Sequence, residues 1–229
     1  MQCSTLRGNT IAVGILEVDP HGLQLYIRSN IFLYGNSISE EVRFNMEEEI
    51  NTLWNEPRAL LWFQYQPYLI NFAVKVFLFP DLKPQNILAN TNPRNNYIRV
   101  EETARGNISY VDGLGSNTGY FKLDNLYRFS TTSAHEYGHL IGLPHPEDLD
   151  IRGKGIPGIM YPRGTLVDAE FQYKPEVQAG QPGGTLAPAH RRVQQSDLDD
   201  LNLGNYLLSG QTIIGKPSAV YHSVELPPQ

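Results

Sequence analysis

The sequence predicts an α+β chain, and three observations carry that expectation. Residues 10–35 alternate apolar and polar and are rich in β-branched and aromatic types, the two-residue period of a strand. Val42, Met46, Ile50, Leu53 and Trp54 recur at the spacing of one helical face. The eleven residues His135–His145, HEYGHLIGLPH, place two histidines four apart, where a helix stacks them on one side.

In chain order, TIAVGILEV and LQLYIRSNIFLYG read as strands joined by a turn at Asp19-Pro20-His21-Gly22. Ser37-x-x-Glu40 has capping-box spacing and opens the first helix, which Asn55-Glu56-Pro57 ends. Its Met and Trp stripe reads as core. Residues 60–79 supply further strands, with Pro67 as a break, and an Asn- and Pro-rich loop follows from Pro80 to Asn96. YIRVEE and NISYVDG are short strand candidates, the second leading into the Gly-rich run Gly113–Gly119. The motif helix is expected to start near Ser130 to Thr132, capped by their hydroxyls. Ser133-x-x-Glu136 has capping-box spacing too, but a Glu136 folded back onto the helix end could not serve a metal site. Gly142 can take the left-handed backbone that ends this helix. Arg163–Arg192 is a long irregular segment containing Pro175, Pro182, Gly183, Gly184 and Pro188. Ser196 caps a last helix with acidic residues in its first turn. The tail after Gly210, ending in LPPQ, is expected to be loosely held.

Composition excludes several classes. With 229 residues, the chain is long enough for one sizeable domain. A charged fraction of 18% does not indicate disorder. Eighteen basic against twenty-four acidic residues argue against nucleic acid as a partner, and Arg191-Arg192 is too short a basic cluster to matter. The single cysteine, Cys3, allows no intramolecular disulfide and no Cys-type zinc site. The apolar stretch Ala59–Phe79 is interrupted by Gln64, Gln66, Pro67, Asn71 and Lys75, so it is not a membrane span. The first ten residues have no secretory h-region. Location is left open, since export after processing would remove such a signal.

The motif carries chemistry. His135 and His139 project from one helix face and can grip one metal ion. The chain then turns at Gly142 and can deliver His145 as a third ligand. Catalytic zinc sites have three protein ligands and one open position. Glu136, one step round the helix, stands near the metal without ligating it. Three of the six histidines fall in these eleven residues, whereas His21, His190 and His222 carry no pattern. One Zn2+ is therefore expected, with Glu136 as general base toward a metal-activated water. Ligation needs neutral imidazole, whose reference pKa is about 6.5, so metal loss is expected below roughly pH 6.

The pattern HExxHxxGxxH, followed by Gly158-Ile159-Met160-Tyr161-Pro162 fifteen residues after His145, resembles the metzincin clan of zinc endopeptidases. The resemblance implies a metzincin-like catalytic domain over residues 1–229. Residues 1–142 would hold a twisted mixed sheet, a backing helix and the zinc-motif helix. Residues 143–229 would form a small irregular C-terminal subdomain with one helix. It also implies that Met160, in the Met-turn, floors the metal site. Substrate would lie extended beside an edge strand, with Ile108–Asp112 and Gly119–Leu123 as candidates. Ile159–Thr165 and the segment behind would wall the pocket after the cleaved bond. His145-Pro146-Glu147-Asp148 is similar to the serralysin form and Met160-Tyr161-Pro162 to the matrixin form. Pro162 stands where some clan members place a tyrosine ligand, so none is assigned. Asp148 and Tyr161 are candidate supports of the metal ligands. IPGIMYPRGTLVD and QSDLDDL also resemble peptidase domains of Rhs-type polymorphic toxins, which would imply a neutralising immunity protein beside a protein or peptide substrate.

Two further readings stand beside an endopeptidase. One is a zinc-bearing module that grips peptides without turnover; the intact Glu136 speaks against it. The other is a different zinc hydrolase, such as an amidase or a self-processing enzyme; the toxin resemblance, for its part, would make the endopeptidase a toxin-type effector protease.

Overall fold

The computed structural model describes residues 13–224. Cys3, the first residues of the opening strand candidate and the closing LPPQ lie outside the described residues. The chain is mixed α and β, as the sequence predicts.

β1 (Gly14–Asp19) and β2 (Gln24–Tyr34) form an antiparallel hairpin. Its turn falls at Asp19–Gly22, where the Asp19 carboxylate accepts from the His21 and Gly22 amides at 3.1 Å. α1 (Glu40–Asn55) follows; its N-cap is Ser39, whose hydroxyl accepts from Val42 N. Ser37 is thus two residues too early, while the C-terminal boundary at Asn55 agrees with the sequence. Met46, Ile50 and Trp54 are buried, as the core reading of the stripe requires.

β3 (Leu60–Phe63) and β4 (Gln66–Leu78) form the next hairpin. The break is Gln64-Tyr65, both at positive φ, and not Pro67. Pro67 is tolerated inside β4 because pairing with β2 begins only at Leu69. The Asn- and Pro-rich loop contains a short helix, α2 (Pro84–Leu88). β5 (Asn95–Glu101), β6 (Tyr110–Val111) and β7 (Thr118–Lys122) complete this half, then α3 (Thr132–Leu140) carries the histidine motif. Near the end come α4 (Gln195–Asp200), α5 (Leu203–Leu208) and β8 (Ile213–Ile214). The C-terminal part therefore has two short helices where one was expected. Ser196 lies inside α4; the cap is made by Asp197, whose carboxylate accepts from Gln194 N at 2.7 Å.

The strands form one mixed sheet in the order β3-β4-β2-β5-β7-β6, with β1 paired to β2 and β8 to β1. β2, β4, β5 and β7 run parallel; the hairpin partners and β6 are antiparallel. β4 outlasts β3, and α1 occupies the edge left open. Asn51 exchanges two hydrogen bonds with the Val74 backbone, Asn55 does the same with Phe72, and Glu47 accepts from Val76 N. Three side chains at i, i+4 and i+8 so satisfy alternate residues of a strand that lacks a neighbour there.

The main core lies between sheet and helices. Trp54 packs on Phe72 and edge-on to Tyr137, and its indole N–H donates to the Ala134 carbonyl of α3 at 3.0 Å. Val193, Leu198, Leu201, Leu203 and Ile214 join the same core from the C-terminal part. Arg163–Arg192 contains only short 3-10 turns, wrapped around the small cluster Ile151, Val167 and Leu186. The stretch after Gly210 is tied down: β8 pairs β1, Ser218 N donates to Asn117, and His222 meets both Asp112 and Tyr34. No helix of the described residues is long and apolar enough to cross a membrane.

Candidate metal centre

α3 is built to hold its histidines. Its first turn exposes unpaired amides, but the hydroxyls predicted to cap it do little of that work. Thr131, the N-cap, has φ 58 and makes no side-chain cap bond. Its hydroxyl instead donates to the Pro188 carbonyl and accepts from Arg191 Nε. Ser130 accepts from Thr132 N, while the main cap comes from α1: Glu49 accepts from Thr131 N at 3.1 Å and Ala134 N at 3.2 Å. At the other end Gly142, at φ 107, closes a Schellman turn in which Leu143 N bonds Gly138 O and Gly142 N bonds His139 O. The Gly-rich run docks there as well, with Gly115 N donating to His139 O.

The turn returns His145 toward the helix. His145 Nε2 lies 3.1 Å from His135 Nε2 and 3.0 Å from His139 Nε2, and all three ligand atoms fall within 4.8 Å of one another. Three nitrogens around a tetrahedral zinc, each about 2.0–2.1 Å from the ion, would sit about 3.3 Å apart. The other ring nitrogens fix the tautomers. His135 Nδ1 bonds the Ile159 carbonyl and His139 Nδ1 the Leu143 carbonyl, both at 2.7 Å. A carbonyl only accepts, so each Nδ1 carries the proton and each Nε2 turns a lone pair inward. The residues present fit a divalent cation, and the sequence-predicted trio is brought together.

Burial lowers the pKa of all three imidazoles: His135 well below the usual range, His139 to about 4, and His145 less strongly. The ligating, neutral forms therefore persist to lower pH than the free side chain allows, and the expected threshold near pH 6 moves down.

Glu136 lies on the same helix, buried, with Oε2 lacking any hydrogen-bond partner. Burial pushes its pKa up to about 8, against the opposing pull of Arg191 and Arg163. The Thr132 hydroxyl, one turn earlier, is also buried and unpartnered. Both residues line a cleft of about 460 Å³ that includes the three histidines, Ile108, Tyr110 and Val111 by β6, and Pro162 and Arg163 beyond Met160. A cleft with imidazoles and a carboxyl of this kind can bind a cation, and a cation held there would draw the carboxyl toward its ionised form, the form that takes up a proton.

Met160 lies directly beneath α3. A Cβ at Gly138 would meet Met160 Sδ at 2.3 Å and Trp54 Cζ2 at 3.3 Å, so Gly138 is the gap that lets the thioether reach the helix. The carbonyl holding His135 belongs to the preceding residue, Ile159.

The two candidate supports are not placed against the histidines. Asp148 sits on an exposed loop, paired with Lys154 at 2.5 Å and accepting from Asp150 N. Lys154 holds its carboxyl below the usual range. The orienting groups are backbone carbonyls, which no residue type signals. Tyr161 packs against the Ile151 cluster and offers its carbonyl to Arg191. Of the edge candidates, β6 within Ile108–Asp112 is the terminal strand, whereas β7 within Gly119–Leu123 lies between β5 and β6.

Sequence reasoning missed Glu49, Thr132 and Arg191. Arg191, dismissed as part of a short basic pair, is buried, bonded to Thr131 and the Tyr161 carbonyl, and lines the cleft. Nothing local marks Glu49 and Arg191, because each acts on a partner distant in the chain, and the Thr132 hydroxyl is marked only by lacking a partner in the cleft.

The chain matches no family model and no curated protein. Among solved structures it is similar to an archaemetzincin from Methanopyrus kandleri, at 10% identity and a TM-score of 0.40, covering 82% of this chain and 99% of that one. It is also similar to myroilysin, at 15% identity and a TM-score of 0.26, covering 92% of this chain and 82% of that one. Likeness at this level carries no argument about chemistry, which rests on the geometry above.

Proposed function

We propose that this chain is a zinc-dependent endopeptidase of metzincin type. The observation that carries the reading is the convergence of three Nε2 atoms, those of His135 and His139 fixed by their tautomers, beside the buried, unpartnered Oε2 of Glu136 in an open cleft. His135, His139 and His145 would hold the ion. When bound, zinc would supply Lewis acidity and lower the pKa of a coordinated water to around 7. Glu136 would accept a proton from water in the cleft and return it to the leaving amine. Met160 would brace the helix from below. β6 is the terminal strand of the sheet and would align an extended peptide beside the ion.

A zinc-bearing module without turnover remains the second reading, and the buried carboxyl argues against it, because a purely structural site has no use for an unpaired acid. Metal analysis with digestion of an unbiased peptide library separates the two. One zinc per chain and new peptide termini are expected. Chelation should abolish cleavage, and Glu136→Gln should suppress it by at least a hundredfold while zinc stays bound. A Glu136→Gln protein that cleaves as fast as the parent would defeat the reading.

A further inference from the structure

The cleft holds more positive charge than the proposed hydrolysis uses. Arg191 and Arg163 both line it, and Glu136 is the one carboxylate among its lining residues. No ion pair joins Glu136 to either arginine among the described residues, and its Oε2 has no hydrogen-bond partner.

Each arginine is held in place. Arg191 is 2% exposed. Its Nε donates to Thr131 Oγ1 at 2.9 Å and its Nη1 to the Tyr161 carbonyl at 3.2 Å, which fixes the guanidinium plane. Arg163 donates through Nη2 to Asn125 Oδ1 at 3.2 Å, and Asn125 in turn donates to Ser109 Oγ beside β6. A planar fork already immobilised loses little entropy when it binds a second planar group, and carboxylates match its geometry with two parallel bonds. A guanidinium that lines a cleft and is otherwise withdrawn from water attracts an anion more strongly than one in open solvent.

We propose that this pair of arginines forms an anion subsite that selects peptides carrying a carboxylate next to the bond to be cut. The carboxylate is that of an Asp or Glu side chain or of the peptide's own C-terminus; both present the same group to the fork. The inference rests on the peptidase reading above for its place beside a scissile bond, but the anion subsite itself is a property of the protein without metal.

Three fluorescent peptides test it: one with a single Glu and an amidated C-terminus, one with Gln in its place, and the Gln peptide shortened to end in a free carboxylate there. Anisotropy with metal-free protein should show one or both acidic peptides bound at least tenfold more tightly than the neutral one, with the margin shrinking as salt rises. Which acidic peptide gains tells side chain from C-terminus. Arg163→Glu, at an exposed position, should erase or invert the margin; Arg191→Gln should reduce it. A merely structural role for Arg191 would change all three affinities together and leave their ratio intact. With zinc added, the library digest should show acidic residues, or chain ends, enriched beside the cut. Equal binding of all three peptides, or a margin untouched by Arg163→Glu, overturns the proposal. Cleavage without acidic preference would overturn it while sparing the peptidase reading. A binding margin without any cleavage would do the reverse.

Discussion

Gly138→Ala is the sharpest test of how the helix and the Met160 loop hold the site together. Local propensity favours the change, since alanine in a helix interior gains about 1 kcal/mol over glycine. Packing opposes it. The new methyl would lie 2.3 Å from Met160 Sδ, 1.1 Å short of the 3.4 Å at which ordinary contact begins, with Trp54 at 3.3 Å closing the other direction. Met160 is 3% exposed and cannot swing into solvent. Overpacking of this kind costs about 1–3 kcal/mol, so a net loss of about 1 kcal/mol is expected in urea unfolding of the metal-free protein. The larger effect should fall on metal. Displacing Met160 moves Ile159, whose carbonyl fixes His135 at 2.7 Å, and loss of such a partner typically weakens metal affinity ten- to a hundredfold. Competition against a chromophoric chelator measures it. Met160→Ala in the Gly138→Ala background should restore part of the lost affinity, because it removes the clashing atom. A Gly138→Ala protein about 1 kcal/mol more stable than the parent, with unchanged zinc affinity, would refute the reasoning.

Two further outcomes follow from the same region. Glu49→Ala deletes the carboxylate that accepts from Thr131 N and Ala134 N; loss of an N-terminal cap of this kind should lower stability by about 2 kcal/mol, read as a lower urea midpoint at constant m-value. Glu136 has a folded pKa of about 8 against 4.5 for the free group, so the folded state holds its proton more tightly. That contribution to stability is full below pH 4.5 and is lost as pH rises through 8, by roughly 5 kcal/mol in all. In chelator, Glu136→Gln should therefore be more stable than the parent at pH 8, with the advantage shrinking toward pH 4.5; a pH-independent difference between the two proteins would contradict it.

What the sequence revealed and what it hid divide by range along the chain. The histidine trio was legible because all three ligands lie within eleven residues, where helical spacing and one glycine at φ 107 decide the geometry. The α1 stripe and the Asp19–Gly22 turn were legible for the same reason. Pro67 misled because its penalty depends on whether β2 reaches that residue, and it does not. Glu47 and Asn51 carried no signal and Asn55 read only as part of the helix end, yet all three finish the edge of β4. Ser130 to Thr132 looked like caps, but Glu49 reached the same amides from another helix. In each miss a local preference was overridden by a partner that only the tertiary structure supplies.

The same division explains how the candidate centre is assembled. Residues 135–145 supply every ligand, but they do not supply the ligands' orientation. His135 takes its tautomer from Ile159, α3 takes its first-turn cap from Glu49, and its last turn is docked by Gly115. Thr131 ties the helix start to Pro188 and Arg191, so the irregular segment is fastened to the first turn of the motif helix. Isolated, the motif would be a nine-residue helix, too short to persist in water. Held between α1 and the Met160 loop, it becomes rigid enough to aim its two histidines at the point to which His145 returns. Affinity of the trio for a cation would therefore be a property of the packing around α3, and substitutions at Gly138, Glu49 or Thr131, none of them a candidate ligand, should weaken binding through the histidines they position.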